Sequence, residues 1–174
     1  LILGDGILGQ MSEPVVLPKM KKINDKTDWA ICSKKEQTVI KSLYLIPETL
    51  LEEHNLKLQK KYRKIEKEYV KFEEYMTDDA EYILVAYGTT SRVARAAINV
   101  LRKNNIKAGL FRPITLWPFP NAELSKLIYD RKKVFVFEMA QNQLETDVRL
   151  AAGCTIEVKG FYKLGGAVFT EKNI

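Results

Sequence analysis

The chain has 174 residues, 46% hydrophobic and 29% charged, which is typical of a soluble globular protein with one domain and an extension. No apolar run approaches the roughly 18 residues that span a bilayer, and the short apolar start lacks the basic region of a signal peptide, so we expect a cytoplasmic protein with no membrane partner. The net charge of +6 by itself suggests a nucleic-acid partner, but the distribution of the charge argues against one, because in residues 57–71 basic residues alternate with Glu66 and Glu68, as on a solvated helix face.

The cysteines and the histidine do not form a metal-binding pattern. Cys32 and Cys154 lie far apart, no Cys-x-x-Cys is present, and the single histidine, His54, lies in the charged helical region. A zinc site or an iron–sulfur cluster needs about four convergent ligands. We therefore expect no metal site in this chain and interpret each cysteine as a lone structural thiol.

Residues 1–20 contain two apolar runs separated by a glycine-rich turn. The chain lacks an initiator Met and begins inside an apolar run, so we expect a piece of a longer polypeptide. Gly4-Asp5-Gly6 is similar to the motif whose aspartate reaches magnesium in thiamine-diphosphate enzymes, but the asparagine that follows some two dozen residues later in that pattern is missing: residues 31–34 read Ile-Cys-Ser-Lys, and Asn24 comes too early. We interpret Gly4-Asp5-Gly6 as a turn.

Residues 21–79 are predicted to form a linker and a long helix. The linker shows no sustained period, apart from a possible short strand at residues 37–40. From Leu51 to Met76 apolar residues recur at steps of 3, 4 and 7, which predicts one amphipathic helix. Its seam packs either on its own domain, which we prefer, or on a partner; the interface candidates on it are Tyr62, Tyr69 and Phe72.

Residues 80–174 alternate between strand and helix patterns. A change from strand-like to helical spacing and back is the signature of a right-handed crossover between parallel strands. Asn121 is predicted to cap the second helix. We predict a small three-layer α/β fold with a mainly parallel sheet and helices on both faces. The strands are predicted at residues 82–87, 107–111, 133–138 and 155–158, and the helices at 92–103, 122–129 and 144–152.

Two loops at the carboxyl ends of these strands are candidate binding sites. The first is Gly88-Thr89-Thr90-Ser91, which opens a helix and could hold an anion, although Thr90 or Ser91 acting as a helix cap is the preferred interpretation. The second begins at Glu138 and continues to Gln143; the candidate ligand-binding residues there are Glu138, Asn142 and Gln143. The pattern indicates no base, nucleophile or metal ligand nearby, so we name no catalytic residue.

A third loop, Arg112 to Pro120, combines three prolines with two large aromatic residues. Proline lowers the entropy cost of ordering a loop, and aromatic residues are frequent anchors at interfaces. The interface candidates here are Arg112, Trp117 and Phe119. Covering an edge of the domain's own core is the equal alternative.

Three stretches of this chain resemble the alpha subunit of 2-oxoacid:ferredoxin oxidoreductases, of the 2-oxoisovalerate (ketoisovalerate) or 2-oxoglutarate type. They are LILGDGILGQMSEPVVLP, YGTTSRVARAAINVLRKNNIKAGLFRPITLWPFP and VFVFEMAQNQLETDVRLA. The family pattern after the glutamate is E-x-N-x-G-Q. Here Gln143 matches it, whereas Ala140 replaces the asparagine and Asn142 replaces the glycine.

The resemblance implies a hetero-oligomeric enzyme that oxidatively decarboxylates a 2-oxoacid, forms an acyl-CoA and reduces ferredoxin. It implies thiamine diphosphate, magnesium and iron–sulfur clusters for the whole complex, with none in this fragment, and other subunits, ferredoxin and CoA as partners. It also implies that residues 1–20 end an upstream pyrimidine-binding-type domain, that 21–79 are the linker and long helix, and that 80–174 form a domain of transketolase C-terminal type.

We therefore expect this fragment to support assembly of an oxidoreductase and to be inactive by itself. The alternative is a stand-alone module that binds a small molecule, either an anion or CoA, at residues 88–91 and 138–143. Nucleic-acid binding, with strongly salt-dependent affinity, is a third hypothesis.

Overall fold

The computed structural model describes residues 1–21, 47–129, 133–153 and 156–174. It divides into two compact units: Leu1–Met11 with Lys64–Ile174, and Ser12–Arg63. Within the described residues, every helix is too short or too polar to cross a bilayer.

The first unit contains a five-stranded sheet built on a parallel core. The strands stand side by side in the order β1-β3-β2-β4-β5. Parallel pairing joins β3, β2, β4 and β5, and among the strands of the described residues only β1, at one edge, runs antiparallel to its neighbour. The strand bounds are β1 Phe72–Tyr75, β2 Tyr82–Val85, β3 Ala108–Pro113, β4 Lys133–Glu138 and β5 Glu157–Tyr162.

Helices cover both faces of this sheet, which confirms the predicted three-layer α/β fold. Along β2, Ile83 and Val85 belong to one core and Leu84 to the other, because successive side chains of a strand point to opposite faces. The first core includes side chains of α3 and α4, and the second includes α2 and Phe169 near the C-terminus. The helix bounds are α2 Gly88–Lys103, α3 Asn121–Ile128 and α4 Leu144–Ala152, with single 3-10 turns at Leu8–Gln10 and Glu171–Asn173.

The helix predicted from Leu51 to Met76 is wrong in its extent. The observed helix, α1, spans Glu48–Glu68, and Phe72 begins the edge strand β1. Phe72 stacks on Phe111 of β3, with ring centroids 5.3 Å apart and planes 15° apart. The spacing of the aromatic residues also fits a continued helix, but pairing with β3 packs the partly buried Phe72 against the sheet and covers the edge of β3.

The second unit contains residues 12–21, which are exposed throughout, and most of α1. None of the 21 residues of α1, all of which the structure describes, is buried. Leu51, Leu58 and Ile65 are half-buried. Packing of this seam on its own domain stays a prediction.

The remaining boundaries differ from the predictions by a few residues. Strand β4 and helix α4 match, whereas β5 begins and ends later than the predicted strand at residues 155–158. Asn121 is the first residue of α3 and does not cap it, since no side-chain cap is present there. The possible strand at residues 37–40 and both cysteines lie outside the described residues.

The turn between β1 and β2 packs closely against β3. A Cβ added to Gly109 would lie 2.5 Å from the main-chain oxygen of Met76, closer than real Cβ atoms approach. Arg102 of α2 fastens the same turn: it donates to the Met76 oxygen (2.7 Å), to Asp79 (2.7 Å) and to the Ala108 oxygen (2.8 Å). The Arg102 guanidinium holds the pKa of Asp79 below its usual range.

Candidate functional site

The candidate site lies where β2 and β4 end. The two strands are neighbours and run parallel, with Val85 opposite Val136, so the loops that follow them emerge at the same edge of the sheet. Residues 88–91 follow β2 and residues 139–143 follow β4. The structure thus brings together the two predicted ligand-binding loops.

The Gly88–Ser91 segment forms the first turn of α2. Gly88 has φ +56°, a backbone conformation that glycine adopts without steric cost, and this permits the sharp turn from strand to helix. Thr89, Thr90 and Ser91 are buried, and the Ser91 hydroxyl donates to the Gly88 oxygen at 2.7 Å. The helix begins at Gly88 without a side-chain cap, so the prediction that Thr90 or Ser91 caps it is wrong.

Asp5 contacts this first turn from the N-terminal segment. Its Oδ2 accepts a hydrogen bond from the Thr89 hydroxyl at 2.7 Å, and its Oδ1 accepts the Leu8 N–H at 2.8 Å. The Leu8 N–H and the Thr89 hydroxyl lower the pKa of Asp5. Residues 6–7 form a turn, which confirms that interpretation of Gly4-Asp5-Gly6.

Glu138 is the most buried charged group at this edge, with 1% of its surface exposed. Its two oxygens accept the N–H groups of Leu144 (2.9 Å) and Glu145 (3.3 Å), the first residues of α4. A carboxylate at a helix N-terminus satisfies unpaired N–H groups and interacts favourably with the helix dipole. The end of β4 therefore fixes the start of α4.

Two titratable groups near Glu138 respond to its charge. Tyr87 lies two residues after the end of β2. Burial, and then the negative charge of Glu138, raise its pKa. The same two causes, in the same order, raise the pKa of Asp147 in α4. Sequence reasoning did not single out either residue, because the pairing of β2 with β4 brings Tyr87 to Glu138 and the bonds of Glu138 to the start of α4 bring Asp147 to it.

The loop after β4 is held by a second set of polar contacts. Asn142, with φ 59°, accepts a hydrogen bond from the Tyr162 hydroxyl at 2.6 Å, and its main-chain oxygen accepts the Thr146 hydroxyl. The Tyr162 hydroxyl also contacts the carboxylate of Glu145, which is buried, and Arg149 donates to that carboxylate at 2.8 Å. Gln143 is exposed. Among the described residues, no group of three or more histidine, cysteine, aspartate or glutamate side chains is arranged to hold a metal.

The α/β domain matches a known protein family. The family described as "Pyruvate:ferredoxin oxidoreductase core domain II" matches residues 80–174. This chain belongs to that family. Core domain II thus includes β2 to β5, α2 to α4, and both loops of the candidate site.

The chain is also similar to two oxidoreductase or synthase subunits. It is 39% identical over 177 residues to ketoisovalerate oxidoreductase subunit VorB of Methanothermobacter marburgensis, covering all of this chain and 50% of that protein. It is 25% identical over 202 residues to 2-oxoglutarate synthase subunit KorA of Methanothermobacter thermautotrophicus, covering all of this chain and 54% of that protein. The chain therefore spans about half the length of these curated relatives.

A solved structure supports the same assignment. The chain is similar to 2-oxoglutarate:ferredoxin oxidoreductase from Magnetococcus marinus, solved with 2-oxoglutarate, coenzyme A and succinyl-CoA bound. The TM-score is 0.61 at 26% identity, and the match covers 75% of this chain and 23% of that one. These comparisons confirm the resemblance to 2-oxoacid:ferredoxin oxidoreductases.

The predicted interface residues differ in their exposure and in their contacts. Trp117 is 57% exposed, whereas Phe119, in the same loop, packs against the core. Arg112 forms an ion pair with Glu73 at 3.0 Å, and Phe72 packs on the sheet. On α1 and just after it, the exposed fractions of Tyr62 and Tyr69 are 37% and 57%.

Proposed function

We propose that this chain forms part of a subunit of a 2-oxoacid:ferredoxin oxidoreductase and that its role there is assembly, while the chemistry takes place elsewhere in the complex. Such a complex oxidatively decarboxylates a 2-oxoacid, forms an acyl-CoA and reduces ferredoxin. Membership of the core domain II family and similarity to the VorB and KorA subunits support this proposal. Thiamine diphosphate and iron–sulfur clusters would then be held mainly by other parts of a cytoplasmic hetero-oligomer.

The exposed Trp117 is the observation that carries the assembly role. Its loop is fastened at one end, where the N–H groups of Ile114 and Thr115 donate to the Lys71 oxygen at 2.9 and 3.1 Å. At the other end Pro120 is fully buried. An indole held outward on an ordered loop loses little entropy when a partner covers it, which is typical of an interface anchor.

The contacts at the carboxyl edge of the sheet also favour a structural role. The Glu138 carboxylate bonds the start of α4, and the Asp5 carboxylate bonds the first turn of α2. Glu145 is engaged by Tyr162 and Arg149. These carboxylates hold helices and loops in place. Their partners are groups of the chain itself and not a substrate.

The experiment is substitution of Trp117 in the complete complex. Trp117→Ala should weaken association with the other subunits by about 30-fold, since a hot-spot residue contributes roughly 2 kcal/mol or more. Association would be measured by native mass spectrometry or by sizing at decreasing concentration. Tyr129→Ala is the matched control, because Tyr129 is also an exposed aromatic residue, with 80% of its surface accessible, but lies outside the loop.

The outcomes separate assembly from folding. Phe119→Ala should lower the thermal stability of the chain, because Phe119 packs against the core. Trp117→Ala should lower that stability by less than Phe119→Ala does, because Trp117 is 57% exposed. Unaltered association of Trp117→Ala with its partner subunits would refute the proposed role of the loop.

The alternative function is a module that binds an anion or CoA. The exposed side chains of Asn142 and Gln143, close to the N-terminus of α4, favour it. The solved relative from Magnetococcus marinus contains coenzyme A. Titration calorimetry of the chain with CoA, with Gln143→Ala as a variant, tests this function: saturable heat that the variant loses would favour it over assembly alone.

A further inference from the structure

The N-terminal segment, residues 1–11, contacts the first turn of α2 through a polar pair. The Thr89 hydroxyl donates to Asp5 Oδ2 at 2.7 Å, joining residues 84 positions apart. A Cβ added to Gly88 would lie 3.7 Å from the same oxygen, so the carboxylate lies directly over the start of the helix. The N-terminal segment belongs to the same compact unit as the α/β domain.

Apolar burial accounts for only part of this attachment, because Ile7 and Leu8 are half-buried whereas the other large apolar side chains of the segment are exposed. Leu1, Ile2 and Leu3 at the start of the segment are 113%, 98% and 72% exposed, and Met11 at its end is 45% exposed. Asp5 and the Thr89 hydroxyl are more protected: Thr89 is only 8% exposed. Hydrogen bonds to a charged acceptor are stronger than those between neutral groups, and a helix N-terminus favours negative charge. Asp5 combines both effects.

Asp5 also organises the segment itself. Its Oδ1 accepts the Leu8 N–H, and its main-chain oxygen accepts the Gly9 N–H at 3.4 Å. These bonds start the single 3-10 turn Leu8–Gln10, whose Gln10 and Met11 N–H groups bond back within the turn. A helix of one turn is unstable by itself in water, so this turn depends on what fixes its start.

We propose that Asp5 is an internal clamp, which holds residues 1–11 as one rigid body with the α/β domain by bonding the Leu8 N–H with one oxygen and the Thr89 hydroxyl with the other. The clamp fixes the direction in which the N-terminal segment leaves the carboxyl edge of the sheet. When the Thr89 hydroxyl is removed, the segment detaches and its 3-10 turn unfolds, although the domain remains folded.

Hydrogen exchange of the whole chain tests the clamp. Thr89→Val removes the hydroxyl and keeps the shape, and Thr89→Ser keeps the hydroxyl as the matched control. We expect the amides of residues 8–11 to exchange about tenfold faster in Thr89→Val than in the wild type, because a bond to a charged group is lost. Thr89→Ser should exchange like the wild type. The thermal midpoint of each variant verifies that the domain is folded.

A double variant distinguishes the clamp from a local effect of either residue. If the two side chains act through one contact, Asp5→Ala with Thr89→Val should exchange no faster at residues 8–11 than Asp5→Ala alone. If instead the two substitutions raise the exchange rates of residues 8–11 by factors that multiply in the double variant, the clamp is overturned. Equal exchange in folded Thr89→Val and wild-type protein would overturn it too, as would amides of residues 8–11 that are already unprotected in the wild type.

Discussion

Replacing Glu138 is the most direct test of how the carboxyl edge of the sheet is built. The carboxylate is 1% exposed and accepts two N–H groups at the start of α4, at 2.9 and 3.3 Å. A hydrogen bond to a charged group contributes about 1.5–3 kcal/mol, and the longer of the two lies beyond the usual distance range. Removing the carboxylate also removes the desolvation cost of a buried charge, which offsets part of the loss of these two hydrogen bonds. We therefore expect Glu138→Ala to lower the free energy of unfolding by about 2–3 kcal/mol.

The measurement is urea denaturation followed by tryptophan fluorescence, with thermal unfolding as a second probe. For a chain of this size a loss of 2–3 kcal/mol corresponds to a fall of roughly 4–12 °C in the midpoint. Glu138→Gln keeps one oxygen acceptor and should lose about 1 kcal/mol.

Glu157→Ala is the control, because the Glu157 carboxylate is exposed and pairs only with Lys159 at 3.2 Å among the contacts that the structure describes. An exposed ion pair of this kind contributes less than about 1 kcal/mol. If Glu138→Ala changes stability no more than Glu157→Ala does, Glu138 does not hold α4 in place. The carboxylate would then be better explained as a ligand-binding group.

Three further predictions concern the sheet and the charge near α4. Gly109→Ala should lower stability by about 1–3 kcal/mol, because the added methyl overlaps the Met76 oxygen; unchanged urea denaturation would contradict the observed close approach. Phe72→Ala should lower stability by about 2–4 kcal/mol in the same assay through loss of its stacking on Phe111, whereas a residue on an exposed helix would change it little. Asp147→Asn should raise the thermal midpoint at neutral pH. The fold raises the pKa of Asp147, so the wild type loses stability as the pH rises through that pKa. The difference in midpoint between the variant and the wild type should therefore vanish below the ordinary pKa of 3.8. A gain that is the same at every pH would contradict this origin.

The sequence predicted the position of the candidate site but not the contacts of its side chains. The strand ends and the helix starts identified residues 88–91 and 138–143, and the parallel pairing of β2 with β4 places both loops at one edge. The sequence does not show that the carboxylate of Glu138 points into the protein toward the α4 N–H groups. Ligand binding by these residues stays a prediction.

The amino-acid sequence by itself determined the alternation of strands and helices after residue 80, because that information is local. Ile83 and Val85 alternate with Leu84 between two cores, and Ala94 and Ile98 recur at the helical period on α2. Only the tertiary structure decided that Phe72 belongs to a strand, since its spacing also fits a helix and its pairing partner lies about forty residues away. Likewise the bond between Asp5 and Thr89 joins residues 84 positions apart, and no local pattern predicts such a contact.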